Sequence, residues 1–268
     1  FKNKSMLKCR LMSLFFVSGF VFIVYICIQI MRSIWSRHIL WIAGVLALVT
    51  SSCSDQYNIL GSSSVDGYEG STFYLKVPSN QGLCSYDSSE VSHGRFGFEG
   101  VLDTVCIAQL YIGDHSLLPL VIETGEISIK FTDAESVVKG GSLNERLYKF
   151  LRENSRLQNE IQSTSRDMAR LIIRDATPES YAGMERRAVQ LQDRLDKLWT
   201  AFIIDNSDNV LGTAYFQEYT SRYFYPVITP QIAKILKRAP KSFLDNPEVR
   251  IYVRDAQYNM QLMQGNFP

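Results

Sequence analysis

Cysteine is the residue type with the most chemistry to offer in this chain, and its five copies are unevenly placed. Cys9, Cys27 and Cys53 lie in or at the end of an apolar N-terminal region, which leaves Cys84 and Cys106 for the remainder. Cys53 follows Leu48-Val49-Thr50-Ser51-Ser52, an apolar run closing in small residues directly before a cysteine. That is the pattern of a relaxed lipobox, in which the thiol takes a diacylglyceryl group and a peptidase cuts in front of it. Cys53 is therefore expected to be lipidated and to become the first residue of the mature protein. Several acyl chains on one residue hold a membrane stably, since each buried methylene contributes roughly 0.8 kcal/mol. An ordinary signal peptide or anchor with an incidental cysteine is the alternative.

Cys84 and Cys106 raise a redox question, because an oxidising envelope permits a disulfide and exchange needs a thiolate beside a second sulfur. Cys106 sits in the apolar run Val105-Cys106-Ile107-Ala108, and neither cysteine has an activating neighbour in sequence. Two free thiols, one structural Cys84–Cys106 disulfide and an exchange-active pair all stay open. His93 and His115 stand beside turn residues without a partner at metal spacing. Neither H-E-x-x-H nor G-x-S-x-G nor a phosphate-binding glycine loop occurs, so hydrolase and nucleotide chemistry have no starting point. No catalytic residue, metal ligand or cofactor is assigned, and the expectation is a non-enzymatic protein. Tyr215, Phe216, Tyr219, Tyr223, Phe224 and Tyr225 form an aromatic cluster that reads either as core or as a stacking platform for a glycan or peptide.

The elements around these residues begin with two apolar runs. Leu11 to Ile30 is about twenty residues, enough to cross a bilayer as a helix, whereas Ile39 to Val49 is about eleven, the size of a signal-peptide core. A basic stretch containing Arg32 and Arg37 starts at Met31, so a complete export signal is expected over 31–52. Residues 1–30 are then expected to be upstream sequence, or, if translated, a transmembrane helix. The 268 residues carry 28 basic and 27 acidic side chains, with no basic segment of the kind phosphate backbones require. Nucleic acid is excluded as an expected partner. The expected address is the cell envelope, on the periplasmic side or at the cell surface, with the membrane reached through the lipid.

From residue 53 to about 140 the chain is β-rich. Tyr57 to Leu60, Ser71 to Val77, Gly94 to Phe98, Thr104 to Tyr111, Leu117 to Glu123 and Glu126 to Phe131 are short apolar or alternating runs that read as strands, separated by turn pairs such as Asp66-Gly67, His93-Gly94 and Thr124-Gly125. Within this region Tyr86-Asp87-Ser88-Ser89-Glu90-Val91-Ser92-His93-Gly94-Arg95-Phe96-Gly97-Phe98-Glu99-Gly100 resembles the "D-S-x-x-V-x-x-G-x-F-x-F-x-G" passage of a β-rich domain of unknown function, family 4369. Glu123-Thr124-Gly125-Glu126-Ile127 resembles its "E-x-G-x-I" hairpin, and Gly141-Ser142-Leu143-Asn144 its "G-(S/T)-L-N" exit into a helix. The resemblance covers about 56–150. It implies an envelope lipoprotein whose relatives carry a C-terminal thioredoxin-like thiol-disulfide oxidoreductase domain, although no Cys-x-x-Cys occurs in this chain.

Residues 141–268 read as helical. Ser142 to Glu145 fits a capping box, and Leu147, Phe150, Asn154, Leu157, Ile161, Thr164, Met168 and Leu171 then step by fours and threes, a heptad seam with two polar interruptions. Thr177-Pro178 starts a second seam through Met184, Ala188, Leu191, Leu195, Leu198 and Phe202, which predicts an antiparallel hairpin. Thr229-Pro230 and Asn246-Pro247 announce shorter helices over 231–238 and 248–263. Asn209 and Ala214 loosely match an "N-x-x-S-x-x-A" stretch that those oxidoreductases place before the thioredoxin-like domain, with Gly212 where Ser is usual.

The sequence thus predicts an α+β protein: a small antiparallel β-sandwich or barrel-like module, then a helical hairpin and short helices. Its expected role is that of a non-catalytic envelope lipoprotein acting through protein contacts. A glycan- or peptide-binding lipoprotein, with a cleft between the β module and the aromatic helix, is the second reading. A thiol-disulfide oxidoreductase whose catalytic domain is encoded downstream is the third.

Overall fold

The computed structural model describes residues 55–79, 82–173 and 177–263. Cys53, the expected export signal and the apolar runs before it lie outside them. Among the described residues no helix is long and apolar enough to cross a membrane.

The β-rich part is a sandwich of two separate four-stranded sheets rather than a closed barrel. One has the order β4-β1-β7-β8, built from Arg95–Val101, Gln56–Ser63, Gly125–Phe131 and Ser136–Lys139. The other has the order β3-β2-β5-β6, from Gly82–Glu90, Thr72–Ser79, Cys106–Ile112 and His115–Ile122. All pairings are antiparallel except β1 with β7, which is parallel. The alternating residues close on one another between the sheets: Ile59, Phe98, Ile127 and Ile129 on one side, Leu75, Leu110, Leu120 and Ile122 on the other. Phe73 joins them edge-on, its ring 4.7 Å from Phe96 and 5.7 Å from Phe131.

Two strands were not foreseen. β3 is exposed at most of its positions, so its residues carry no apolar alternation, and β8 spans only four residues. The turn joining β3 to β4 was legible. His93 and Gly94 take φ of 52° and 67°, and Ser92 and Arg95 exchange both backbone hydrogen bonds across them, the two-residue turn that matches strand twist. Glu69 holds that turn from outside, its two carboxylate oxygens accepting from the amides of His93 at 2.8 Å and Gly94 at 2.9 Å. Those bonds draw the Glu69 carboxyl below its ordinary range.

Six helices follow among the described residues: α1 (Ser142–Ile173), α2 (Pro178–Asp205), α3 (Val210–Thr220), α4 (Pro230–Arg238), α5 (Lys241–Leu244) and α6 (Pro247–Met263). Their starts are where polar caps announce them. Thr177 accepts from Ser180, Asn209 from Leu211, Thr229 from Ile232, and Asn246 from Glu248. α1 and α2 form the antiparallel hairpin: Phe150, early in α1, stacks on Phe202, late in α2, with ring centroids 4.1 Å apart. Trp199 meets Phe150 edge-on at 5.0 Å. The two polar seam residues are both satisfied inside the hairpin. Asn154 accepts from the Trp199 indole at 2.8 Å, and Thr164 returns its hydroxyl to the Glu160 carbonyl at 2.9 Å.

The Glu69 contact has a pH signature. A carboxyl with a lowered folded pKa stabilises fully above its unfolded pKa and stops doing so as pH falls through the folded value. Glu69→Gln should therefore lower the melting temperature relative to the unsubstituted protein near about pH 7, and the gap should shrink toward zero well below about pH 4. Thermal melts of both proteins across that range check it; a gap that widens on acidification contradicts it.

Candidate functional site

The most concentrated polar structure among the described residues lies where the sandwich hands over to the helices. β6 ends at Ile122, and Glu123, the next residue, is only 7% exposed. Its carboxylate faces the first turn of α1. Glu123 Oε1 accepts from the Leu143 amide at 3.0 Å and the Asn144 amide at 2.9 Å, and Oε2 accepts from Leu143 at 3.2 Å. An acceptor of negative charge is what a helix N-terminus needs, since its first amides have no partner within the helix. The expected capping box is thus replaced. Ser142 is already helical and reaches Glu123 at 3.5 Å, while the Glu145 amide bonds to the Gly141 carbonyl.

Asn144, 1% exposed, completes the joint. Its side-chain oxygen accepts from the Val121 amide at 2.9 Å, and its side-chain nitrogen donates to the Val121 carbonyl at 2.7 Å and to Glu123 at 3.0 Å. One amide side chain therefore imitates a neighbouring strand toward β6. The approach is possible because Gly141 has no side chain: a Cβ there would stand 2.3 Å from Glu123 Oε1, and its φ of 77° suits glycine. Tyr148, one turn further on, donates to the Pro119 carbonyl at 2.7 Å, and burial raises its pKa well above the ordinary value. This cluster is a structural joint: every polar atom named in it is engaged with another group of the chain.

Cys84 and Cys106 are free thiols. Cys84 is exposed on β3, its sulfur 3.0 Å from the Ser79 hydroxyl. Cys106 is half-buried on β5, and burial pushes its thiol pKa up, which keeps it protonated and a poor nucleophile. His93 lies in the β3–β4 turn, and His115 opens β6 on the surface. No group of three or more His, Cys, Asp or Glu that could hold a metal occurs among the described residues.

The aromatic cluster is divided. Tyr215, Phe216 and Tyr219 are buried in the helical core, where Phe150, Trp199 and Phe243 meet them. Phe224 is fully exposed and Tyr225 nearly half so. They border a hollow of about 440 Å³ whose far wall is Ile251, Tyr252 and Asp255 of α6. Around the corner a larger groove of about 780 Å³ runs between α4, α5 and α6. Leu236, Leu244, Pro247, Ile251 and Val253 line it, with Arg250 and Arg254 at the rim. Ile251 is 50% exposed, and Tyr258, two turns on along the same side of α6, is more than half exposed. Sequence reasoning missed this face, because α4 and α6 read as ordinary amphipathic helices until the tertiary contacts show which apolar side chains stay uncovered.

Residues 57–147 match the family model described as "Domain of unknown function (DUF4369)". The match runs from β1 through the first turns of α1 and includes both Glu123 and Asn144. No curated protein matches the chain.

Replacing Asn144 with Ala leaves the Val121 amide and carbonyl buried without partners, and should cost about 2–4 kcal/mol in urea unfolding. Asn159→Ala, on the exposed face of the same helix, should stay within about 0.5 kcal/mol. A double-mutant cycle of Asn144→Ala with Glu123→Ala should give a coupling of about 1 kcal/mol or more. Strict additivity would show that the two side chains do not work as one joint.

Proposed function

We propose that this protein is a non-catalytic lipoprotein of the cell envelope, tethered through Cys53, whose helical end docks a partner protein. The observation that carries the reading is the uncovered groove between α4, α5 and α6, bordered by Ile251 and continued by Tyr258. Buried apolar area drives association, and an apolar patch that the chain does not cover itself marks a contact surface. The rim chemistry describes the partner. Arg250 and Arg254 line the groove; no ion pair among the described residues engages Arg250, while Arg254 is tied to Asp255. An amphipathic segment with acidic flanks complements that surface.

The family match and the lipobox pattern support the envelope placement, and by resemblance the module corresponds to the N-terminal part of thiol-disulfide oxidoreductases. The half-buried Cys106, whose thiol pKa burial raises, favours a module that performs no exchange of its own. The hollow beneath Phe224 and Tyr225, walled by α6 and not by the β module as expected, favours the second reading, a glycan- or peptide-binding lipoprotein, because an uncovered aromatic ring beside acidic side chains suits stacking on a sugar.

A photoreactive residue at position 251 of the full chain, introduced in intact cells, should give a discrete cross-linked product, and one at Arg186 on α2 should not. Cys53→Ala should shift the protein out of the membrane fraction in the same cells. Equal cross-linking at 251 and 186, or unchanged membrane association of the Cys53 variant, overturns the corresponding half of the reading. Thermal stabilisation by short glycans, lost on Phe224→Ala, would decide for the second reading instead.

A further inference from the structure

The sheet β4-β1-β7-β8 turns one face to the core and the other outward, and the outward face is not a bland polar surface. The strand register arranges its side chains in rungs. Arg95, Ser62 and Lys130 lie side by side across β4, β1 and β7. The next rung is Gly97, Leu60 and Ser128, which Lys139 extends on β8. The third is Glu99, Asn58 and Glu126. Strand neighbours stand about 4.8 Å apart and same-face residues along a strand about 6.7 Å apart, so the three rungs fill a patch of sugar-ring dimensions. A trough of about 910 Å³ lies over the first two rungs and reaches Glu126.

Its charges are unspent. Arg95, Lys130 and Lys139 line the trough with Glu126 and Glu135, Glu135 standing at the Lys130 end, while Asn58 and Glu99 extend the same face beyond it; none of the charged groups enters an ion pair among the described residues. Gly97, Ser62 and Ser128 keep the floor low, and Leu60, 49% exposed, offers an apolar patch at its centre. Cations flanking a hydroxyl suit a carboxylate or phosphate, which two N–H donors and one O–H donor can share. Carboxylates and an amide suit sugar hydroxyls, which donate to the first and exchange hydrogen bonds with the second. A leucine suits the C–H face of a pyranose.

We propose that this trough binds an acidic oligosaccharide, with its anionic substituent over Arg95, Ser62 and Lys130 and its hydroxyls over Asn58, Glu99 and Glu126. The site is separate from the helical groove, so its failure would leave the docking reading untouched. The acidic side chains of this face distinguish it from a polyanion surface, which would carry cations alone.

Titration of the full chain in detergent with a galacturonic-acid tetrasaccharide, followed calorimetrically, tests this. Binding is expected for the uronate and absent for the neutral maltotetraose. Arg95→Gln with Lys130→Gln should weaken it at least about tenfold, the loss of about one charge-assisted pair. Asn58→Ala with Glu126→Gln, which leaves every cation in place, should weaken it by a similar factor. The amide exchange pattern of the β-strands in both double variants establishes that the sheet is intact. Equal binding of poly-glutamate and the uronate, indifference to the Asn58 and Glu126 substitutions, or no heat with the uronate each overturns the proposal.

Discussion

A helix that begins against the end of a strand leaves two sets of backbone groups needing partners in one dry place, and here Glu123 and Asn144 meet that need together. The carboxylate takes the first amides of α1, while the Asn144 amide group exchanges two hydrogen bonds with Val121. Unmade hydrogen bonds in such a position are costly, so the geometry tolerates little drift. The direction in which α1 leaves the sandwich is therefore set by side chains only twenty-one residues apart in sequence. The rest of the helical part inherits that direction.

The packing around the joint has the same logic. Val121, on the strand that Asn144 grips, belongs to the helical core, while its neighbours Leu120 and Ile122 belong to the sandwich core. β6 thus shows one face to each. Val105 and Tyr148 touch both cores. Further along α1, the hairpin locks by aromatic stacking between Phe150 and Phe202 and by the Asn154–Trp199 hydrogen bond. Arg222 covers the other side of Trp199, its guanidinium 3.9 Å from the ring centroid. Two of the uncovered surfaces are the α4–α6 groove and the outer sheet face. The groove is carried by the helical part, whose direction the joint sets.

Much of this architecture is legible from residue order because its determinants are local. Alternation marks Ile127, Ile129 and Phe131, the heptad marks Leu147, Phe150 and Leu157, and Thr177-Pro178 marks a helix start. The elements that escaped depend on contacts distant in sequence. β3 has no apolar rhythm because most of its side chains face solvent, and the parallel pairing of β1 with β7 joins segments whose sequences say nothing of each other. The capping box at Ser142 was a sound local inference overtaken by a tertiary partner, since a buried carboxylate from β6 outcompetes a local side chain for the same amides. Both joint residues stood inside the motifs that carried the family resemblance, yet their role needs the fold. The same holds for the aromatic cluster, where only packing separates buried Tyr219 from exposed Phe224.

The central claim is that the joint makes sandwich and helices one cooperative body, and segment-resolved native-state hydrogen exchange tests it most directly. If the account is right, core amides of β5 and β6 and those of α1 along its buried seam open with a common free energy in the unsubstituted protein. Helical amides that open at clearly lower free energy while the sandwich stays protected would show that the two parts unfold independently, and would contradict it.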